Sequence, residues 1–173
     1  PNTNGARLVL GIEPGSRLDA IREGVRSGSV KGILTLGEDL TSPEAGFTAE
    51  ELDKLDYLFM TAHSANETAR HADLVLPGVT YAEKFGTMIN VTGRIQRLNR
   101  AIQPIGYARD DWQIFRDITL LLGGNPALKN FNSALDILTA MSTEYGALNG
   151  VSWGSIGDGG QPILETGVTI RVV

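Results

Sequence analysis

Two hydrophobic spacings take turns along the first half of the chain: short continuous apolar runs, and stretches in which apolar residues recur every three or four positions. Leu18, Ile21 and Val25 share one helical face closed by Gly28, and Ser16 with Asp19 has the spacing of a capping box at its start. Residues 31–37 (KGILTLG) follow as a strand with Gly37 at its carboxyl end. The pattern then repeats. Thr48 with Glu51 forms a second capping box, Leu52 and Leu55 share a face, and residues 56–60 (DYLFM) make a strand ending at Thr61. Ser64 with Glu67 is placed to cap a short helix, after which residues 72–77 (ADLVLP) form a third strand. Alternating helices and uninterrupted apolar strands predict a parallel sheet covered on both faces. Residues 16–77 are therefore expected to be part of an α/β, doubly wound, mostly parallel sheet. Three crossovers are few for a complete one, so further elements are expected on the N-terminal side.

Outside that region the signals are more mixed. The apolar run at residues 8–12 sits between Asn/Gly and Pro/Gly punctuation, which fits a strand or a buried loop, and a strand is expected. In residues 69–97, Pro77-Gly78 stops a buried strand and Gly86 and Gly93 permit turns. The alternation that follows predicts Met88, Asn90 and Thr92 on one side and Ile89 and Val91 on the other. Residues 97–108 read as an extended connection, with a turn at Pro104-Ile105-Gly106. Asp110 then caps a helix whose apolar face is Trp112, Phe115, Ile118, Leu121 and Leu122, up to Gly123-Gly124. Ser133 and Asp136 open another helix, with Leu135, Leu138 and Met141 inward and Gly146 as the stop. Residues 151–162 read as a loop with a tucked Trp153, and residues 168–173 (VTIRVV) alternate like a strand. The expected division is an α/β domain over residues 1–124 and a helical and loop extension over 125–173.

Composition narrows the function. With 173 residues, 42% of them apolar, the chain can bury one ordinary core. Fifteen Lys and Arg against twenty Asp and Glu give a net charge of −5, which argues against a nucleic-acid or anionic-membrane surface. Cysteine is absent, which excludes a disulfide framework, an all-cysteine iron–sulfur cluster, a thiolate zinc site and a cysteine nucleophile within these residues. No apolar run approaches the ~20 residues that span a bilayer, and the N-terminus lacks a signal pattern, so a cytoplasmic setting without direct membrane insertion is expected. A first residue of proline rather than methionine leads to the expectation of a processed or excised chain.

Candidate chemistry gathers in two loops. Gly37-Glu38-Asp39 follows a predicted parallel strand, where open sheets of this kind bind ligands. Gly37 would admit a ligand close to the backbone, and Glu38 or Asp39 would accept hydrogen bonds from ribose hydroxyls or a purine edge. Its plain reading is an ordinary strand-to-helix loop. Thr61 to Asn66 forms the second such loop, and His63, Ser64 and Asn66 could hold an anion or simply cap the next helix. No G-x-G-x-x-G or Walker loop accompanies either. His63 and His71 are the only histidines and lack a zinc-type spacing. Ser64, His71 and Asp73 make a triad only on paper, without a nucleophile elbow. The pairs Glu50-Glu51, Glu38-Asp39 and Asp110-Asp111 stand where helix starts and loops favour acids.

One series of motifs is more specific. Ala72-Asp73-Leu74-Val75-Leu76-Pro77, then Glu83-Lys84-Phe85-Gly86-Thr87, then Asn90-Val91-Thr92-Gly93-Arg94-Ile95-Gln96 resembles the A-D-x-x-L-P, E-K-x-G-T and N-x-E-G-R-x-Q series of the molybdopterin-oxidoreductase superfamily. Gly106-Tyr107-Ala108-Arg109-Asp110-Asp111-Trp112 is similar to the G-x-A-R-x-D-W of the large iron–sulfur subunit of respiratory complex I, the NADH:quinone oxidoreductase. Thr92 departs from the series, which has an acid there.

This resemblance implies a C-terminal, structural and non-redox part of that subunit, in the peripheral arm of a membrane-bound complex. The parent would carry iron–sulfur clusters, and this piece would have no cofactor of its own. Its partners would be other subunits of the complex and the missing N-terminal part of its own chain. The competing implication is the part of a formate-dehydrogenase-like molybdenum oxidoreductase that binds a molybdopterin guanine dinucleotide. There the cofactor would meet Gly37, Glu38, Asp39, His63, Ser64 and Asn66. Neither reading gives the piece a catalytic residue or a metal ligand.

Overall fold

A computed structural model of the chain describes residues 2–11, 13, 15 and 17–165. In chain order its elements are α1 (Thr3–Leu10), α2 (Leu18–Ser27), β1 (Gly32–Leu36), α3 (Ala49–Leu52), β2 (Tyr57–Ala62), α4 (Glu67–His71), β3 (Leu74–Pro77), β4 (Gly86–Ile89), β5 (Arg94–Leu98), α5 (Asp111–Leu121), α6 (Ala134–Glu144), α7 (Trp153–Ile156) and β6 (Gln161–Pro162). They form two units interleaved along the sequence. A parallel-sheet unit comprises Gly15–Tyr81 and Gln103–Ile114, and a hairpin unit comprises Pro1–Pro14, Ala82–Ile102 and Phe115–Val173.

The parallel-sheet unit has strand order β1-β2-β3, with Ile33 beside Leu58 and Met60 beside Val75. Its core joins Val25, Leu52 and Leu58 to Leu40, Ala45 and Phe47 from the loop after β1, with Ile33, Leu55 and Ala72 packed against them. Helix α2 ends at Gly28 as its spacing predicts, whereas Ser16 lies outside the described residues. The Thr48–Glu51 capping box forms: Glu51 N donates to Thr48 Oγ1 at 3.3 Å, and Thr48 N donates to Glu51 Oε2 at 3.0 Å. The same carboxylate is paired with Arg26 of α2. Thr48 N–H and the Arg26 guanidinium together hold Glu51 below its ordinary carboxylate range.

Two expectations for this unit change. Asn66, not Ser64, caps α4, because its Oδ1 accepts from Ala69 N at 3.0 Å. The sheet is also covered less fully than its apolar strands predict, since Leu34, Leu36 and Leu74 are exposed.

In the hairpin unit β4 pairs antiparallel with β5, which also pairs with β6. Ile89 and Ile95 pack with Leu138 of α6 and with Leu148, Val151 and Ile156, while Leu8 and Met141 flank them. The expected strand at residues 8–12 is helical instead as far as Leu10. Ala6, Arg7 and Leu8 favour helix, and Gly11 N closes it by donating to Arg7 O at 3.0 Å. Residue 12 lies outside the described set. Asn2 Oδ1 accepts from Ile89 N at 2.8 Å and Asn4 Nδ2 donates to Asn90 O at 2.8 Å, fixing α1 to the hairpin.

The alternation expected through Thr92 breaks at Asn90. Its Oδ1 accepts from Thr92 N, Thr92 Oγ1 and Arg94 N at 3.0, 2.8 and 3.0 Å, which folds the chain back. Gly93 completes the turn at φ 73°, where a methyl group would also collide with the Leu164 carbonyl. Thr92 thus closes the turn through its hydroxyl. Arg94 uses the carbonyls of Gly159 and Gly160 at 2.9 and 3.1 Å.

Helix α6 starts at the Ser133–Asp136 capping box with Leu138 buried, but Leu135 is exposed. In α5 the buried residue is Ile114, and Leu121 and Leu122, at the end of the helix and just past it, are exposed. Trp153 opens the short helix α7, its ring 4.5 Å from Phe85, with the Arg97 guanidinium 5.0 Å from the ring centroid. The strand expected at 168–173 lies outside the described residues. No helix among the described residues is long and apolar enough to cross a membrane.

Thr48→Ala removes a cap and is expected to lower stability by about 1 kcal/mol. Gly93→Ala is expected to cost more than about 1 kcal/mol, since φ and space both oppose a side chain. Urea-unfolding midpoints of the two variants check both values.

Candidate cofactor-binding site

Parallel pairing carries the carboxyl ends of all three strands of the first unit to one edge of its sheet. Gly37 N donates to Thr61 O at 2.6 Å, and Gly78 N donates to Ala62 O at 2.9 Å, so the three exit loops are joined through backbone. Gly37 has φ 68°, and a Cβ built on it would meet only Thr61 O, at 3.8 Å. Its backbone is therefore open to a ligand's close approach.

The six sequence-predicted residues divide by what their side chains touch. Asp39 Oδ1 accepts from Thr41 N at 3.0 Å, Thr41 Oγ1 at 2.8 Å and Thr68 Oγ1 at 2.8 Å, and Thr68 Oγ1 in turn accepts from Leu40 N at 2.7 Å. Asp39 thereby locks the β1 exit loop to α4. The hydroxyls of Thr41 and Thr68 hold its carboxyl below the ordinary range. Asn66 caps α4. Gly37, Glu38, His63 and Ser64 are exposed at the same end of the sheet.

A further contributor comes from the stretch 103–114. Arg109 N donates to Pro77 O at 3.1 Å, and Gly78 and Arg109 form a parallel bridge. Asp111 Oδ1 accepts from Thr61 Oγ1 at 2.9 Å, and a Cβ on Gly78 would stand 3.1 Å from that oxygen. Reading Asp110-Asp111 as helix-start acids misses this tie. A hydroxyl at the last buried position of β2 is the one signal in the sequence that asks for such an acceptor.

The paper triad is not assembled. His71 Nδ1 lies 2.7 Å from Asp53 Oδ1, and Asp73 Oδ2 accepts from Leu58 N at 2.7 Å.

Because Asp39 is held below its unfolded pKa, its contribution is present above about pH 4 and lost as pH falls through the folded value. Amide exchange at Leu40 and Thr41 is expected to accelerate on acidification below that point. In Asp39→Asn the step should disappear.

Comparison with known proteins identifies the lineage. The family model for molybdopterin oxidoreductase matches residues 2–120. A candidate formate dehydrogenase of Staphylococcus haemolyticus is 32% identical over 144 residues, covering 82% of this chain and 15% of that protein. The NADPH-Fe(3+) oxidoreductase subunit alpha of Geobacter sulfurreducens is 34% identical over 136 residues, covering 78% of this chain and 16% of that subunit. The chain thus spans about a sixth of the length of these relatives. Acetylene hydratase from Pelobacter acetylenicus shares the fold, with a TM-score of 0.63 at 17% identity over 88% of this chain and 22% of its own. With more than half of its residues matched by one family model, the chain belongs to the molybdopterin oxidoreductase family.

Proposed function

We propose that this chain is the pterin-guanine-dinucleotide-binding part of a formate-dehydrogenase-like molybdenum oxidoreductase. In this reading Gly37, Glu38, His63 and Ser64 face the nucleotide end of the cofactor. The observation that carries it is the juxtaposition of the β1 and β2 exit loops, stitched by the Gly37–Thr61 hydrogen bond and leaving the Gly37 backbone open. The donor set fits a nucleotide. An exposed carboxylate at Glu38 accepts hydrogen bonds from a guanine edge or ribose hydroxyls, and Gly37 lets a sugar or phosphate approach the main chain. The set does not include a thiolate for molybdenum, because the chain has no cysteine. Asp39 and Asn66, drawn into the protein's own hydrogen bonds, hold the loops in place.

When bound, such a cofactor supplies the redox centre; this chain's residues orient its nucleotide end. The relatives bearing formate dehydrogenase and NADPH-Fe(3+) oxidoreductase names support this reading over a place in complex I. The scaffold reading keeps one observation in its favour: Arg109 and Asp111, from the G-x-A-R-x-D-W stretch, are used to pin strand ends.

Calorimetric titration of GMP and GDP into the chain separates the two. Saturable binding, weakened about tenfold by Glu38→Ala through loss of a charged acceptor, is the expected result. Absence of binding to the folded chain favours the scaffold.

A further inference from the structure

The chain has two Asn-Gly steps, Asn4-Gly5 and Asn149-Gly150, and sequence alone does not rank them. The fold treats them differently. Asn4 lies in α1, where its Nδ2 donates to Asn90 O and Val91 O at 2.8 and 3.3 Å, its Oδ1 accepts from Arg7 Nη1 at 3.0 Å, and Gly5 is buried. Asn149 and Gly150 are both exposed. They stand at the centre of a turn that Val151 N closes by donating to Leu148 O at 2.9 Å. With Asn149 at φ −57° and ψ 126° and Gly150 at φ 76°, this is a type II turn, whose third position favours glycine. Among the described residues, no hydrogen-bond partner holds the Asn149 side chain or Gly150 N. A Cβ built on Gly150 would meet nothing within 4 Å, so no neighbouring group screens the peptide between the two residues.

We propose that Asn149-Gly150 is a self-modifying site, the one Asn-Gly step that the fold leaves open to deamidation. Gly150 N, losing its proton to solvent base, attacks Asn149 Cγ. A Cγ–N bond forms, the Cγ–Nδ2 bond breaks, and Nδ2 leaves as ammonia with a proton returned from solvent, which closes a five-membered succinimide. Water then opens the ring. Addition at Cγ yields aspartate, and addition at the main-chain carbonyl yields isoaspartate. One water is consumed and one ammonia released, with no change of oxidation state. At ψ 126° the turn does not itself present Gly150 N to Cγ, so the central peptide rotates first. Glycine accepts either sign of φ, which makes that rotation easy in an exposed turn. The same rotation at Asn4 would break α1 and both of that side chain's bonds to the hairpin. Asp158-Gly159 starts from a carboxylate 3.7 Å from Arg97, a poorer electrophile than an amide.

The two products act differently on the fold. Leu148 and Val151, on either side of the turn, are 0% and 3% exposed in the core of the hairpin unit. Aspartate keeps the main chain as it is and adds a negative charge at the surface. Isoaspartate routes the chain through Cβ and Cγ, and the extra main-chain atom displaces Leu148 or Val151 from that core. The inference does not depend on the nucleotide reading.

Incubating the 173-residue chain in mildly alkaline buffer, folded and in guanidinium chloride, and mapping deamidated and isoaspartyl peptides at both steps tests the proposal. Unfolded, the two steps should react at similar rates. In the folded chain Asn149 should react at least about tenfold faster than Asn4, whose opening requires breaking hydrogen bonds. Comparable rates at the two steps of the folded chain overturn the proposal. So does faster reaction at Asn4, or no reaction at Asn149 over the time in which the unfolded chain is converted. As a second readout, the urea midpoint of the wild-type chain should fall as isoaspartate accumulates, while Asn149→Gln holds its midpoint through the same incubation. Freshly prepared Asn149→Asp should unfold at the wild-type midpoint. An isoaspartyl chain that does the same would contradict the assigned effect on the core.

Discussion

From Gly32 beside Tyr57 to Leu36 beside Thr61, β1 and β2 run parallel and in unbroken register, and the rest of the first unit follows from that pairing. Parallel strands cannot be joined by a tight turn, so the chain must return over one face, and the path from Gly37 to Asp56 does so. On that path Leu40, Ala45, Phe47 and Leu52 are buried against Val25 and Leu58. The same geometry sends both exit loops to one end. Had the strands been antiparallel, Gly37 and Thr61 would lie at opposite ends of the sheet, and no shared site could form.

Acidic side chains do much of the anchoring around that sheet. Glu51 joins α3 to α2 through Arg26, Asp73 holds the start of β2 by accepting from Leu58 N, Asp39 fixes the β1 exit loop to α4, and Asp111 holds the end of β2. Each carboxylate is matched to backbone N–H groups, hydroxyls or a guanidinium, which is how a partly buried charge is tolerated. The net negative charge of the chain therefore reflects local hydrogen-bonding demands as well as solubility. Glu38 differs from Glu51, Asp39 and Asp111 in lying exposed beside the open Gly37 backbone.

Much of this was legible in the sequence where local chemistry decides. The capping boxes at Thr48 and Ser133 form, β1 to β3 appear in order, and Gly28 stops α2, because each depends on residues a few positions apart. Tertiary partners decided the rest. Residues 8–10 have the apolar content of a strand but become a helix tied to the hairpin by Asn2 and Asn4, bonds that span more than eighty positions. The alternation through Thr92 continued on paper because periodicity does not register one side chain, Asn90, gathering three donors. The loops leaving β1 and β2 begin where the strand pattern predicts. Which of their residues are already committed to the fold was not legible, since Thr68 and Asp111 reach them from distant parts of the chain.

The central claim is that the sheet's carboxyl end receives a nucleotide, and residue-resolved nuclear magnetic resonance addresses it most directly. On addition of GMP, the amide signals of Gly37, Glu38, His63 and Ser64 are predicted to shift together and saturate with a single dissociation constant. Shifts confined to the hairpin unit, or none at those four residues in a folded sample, would contradict it.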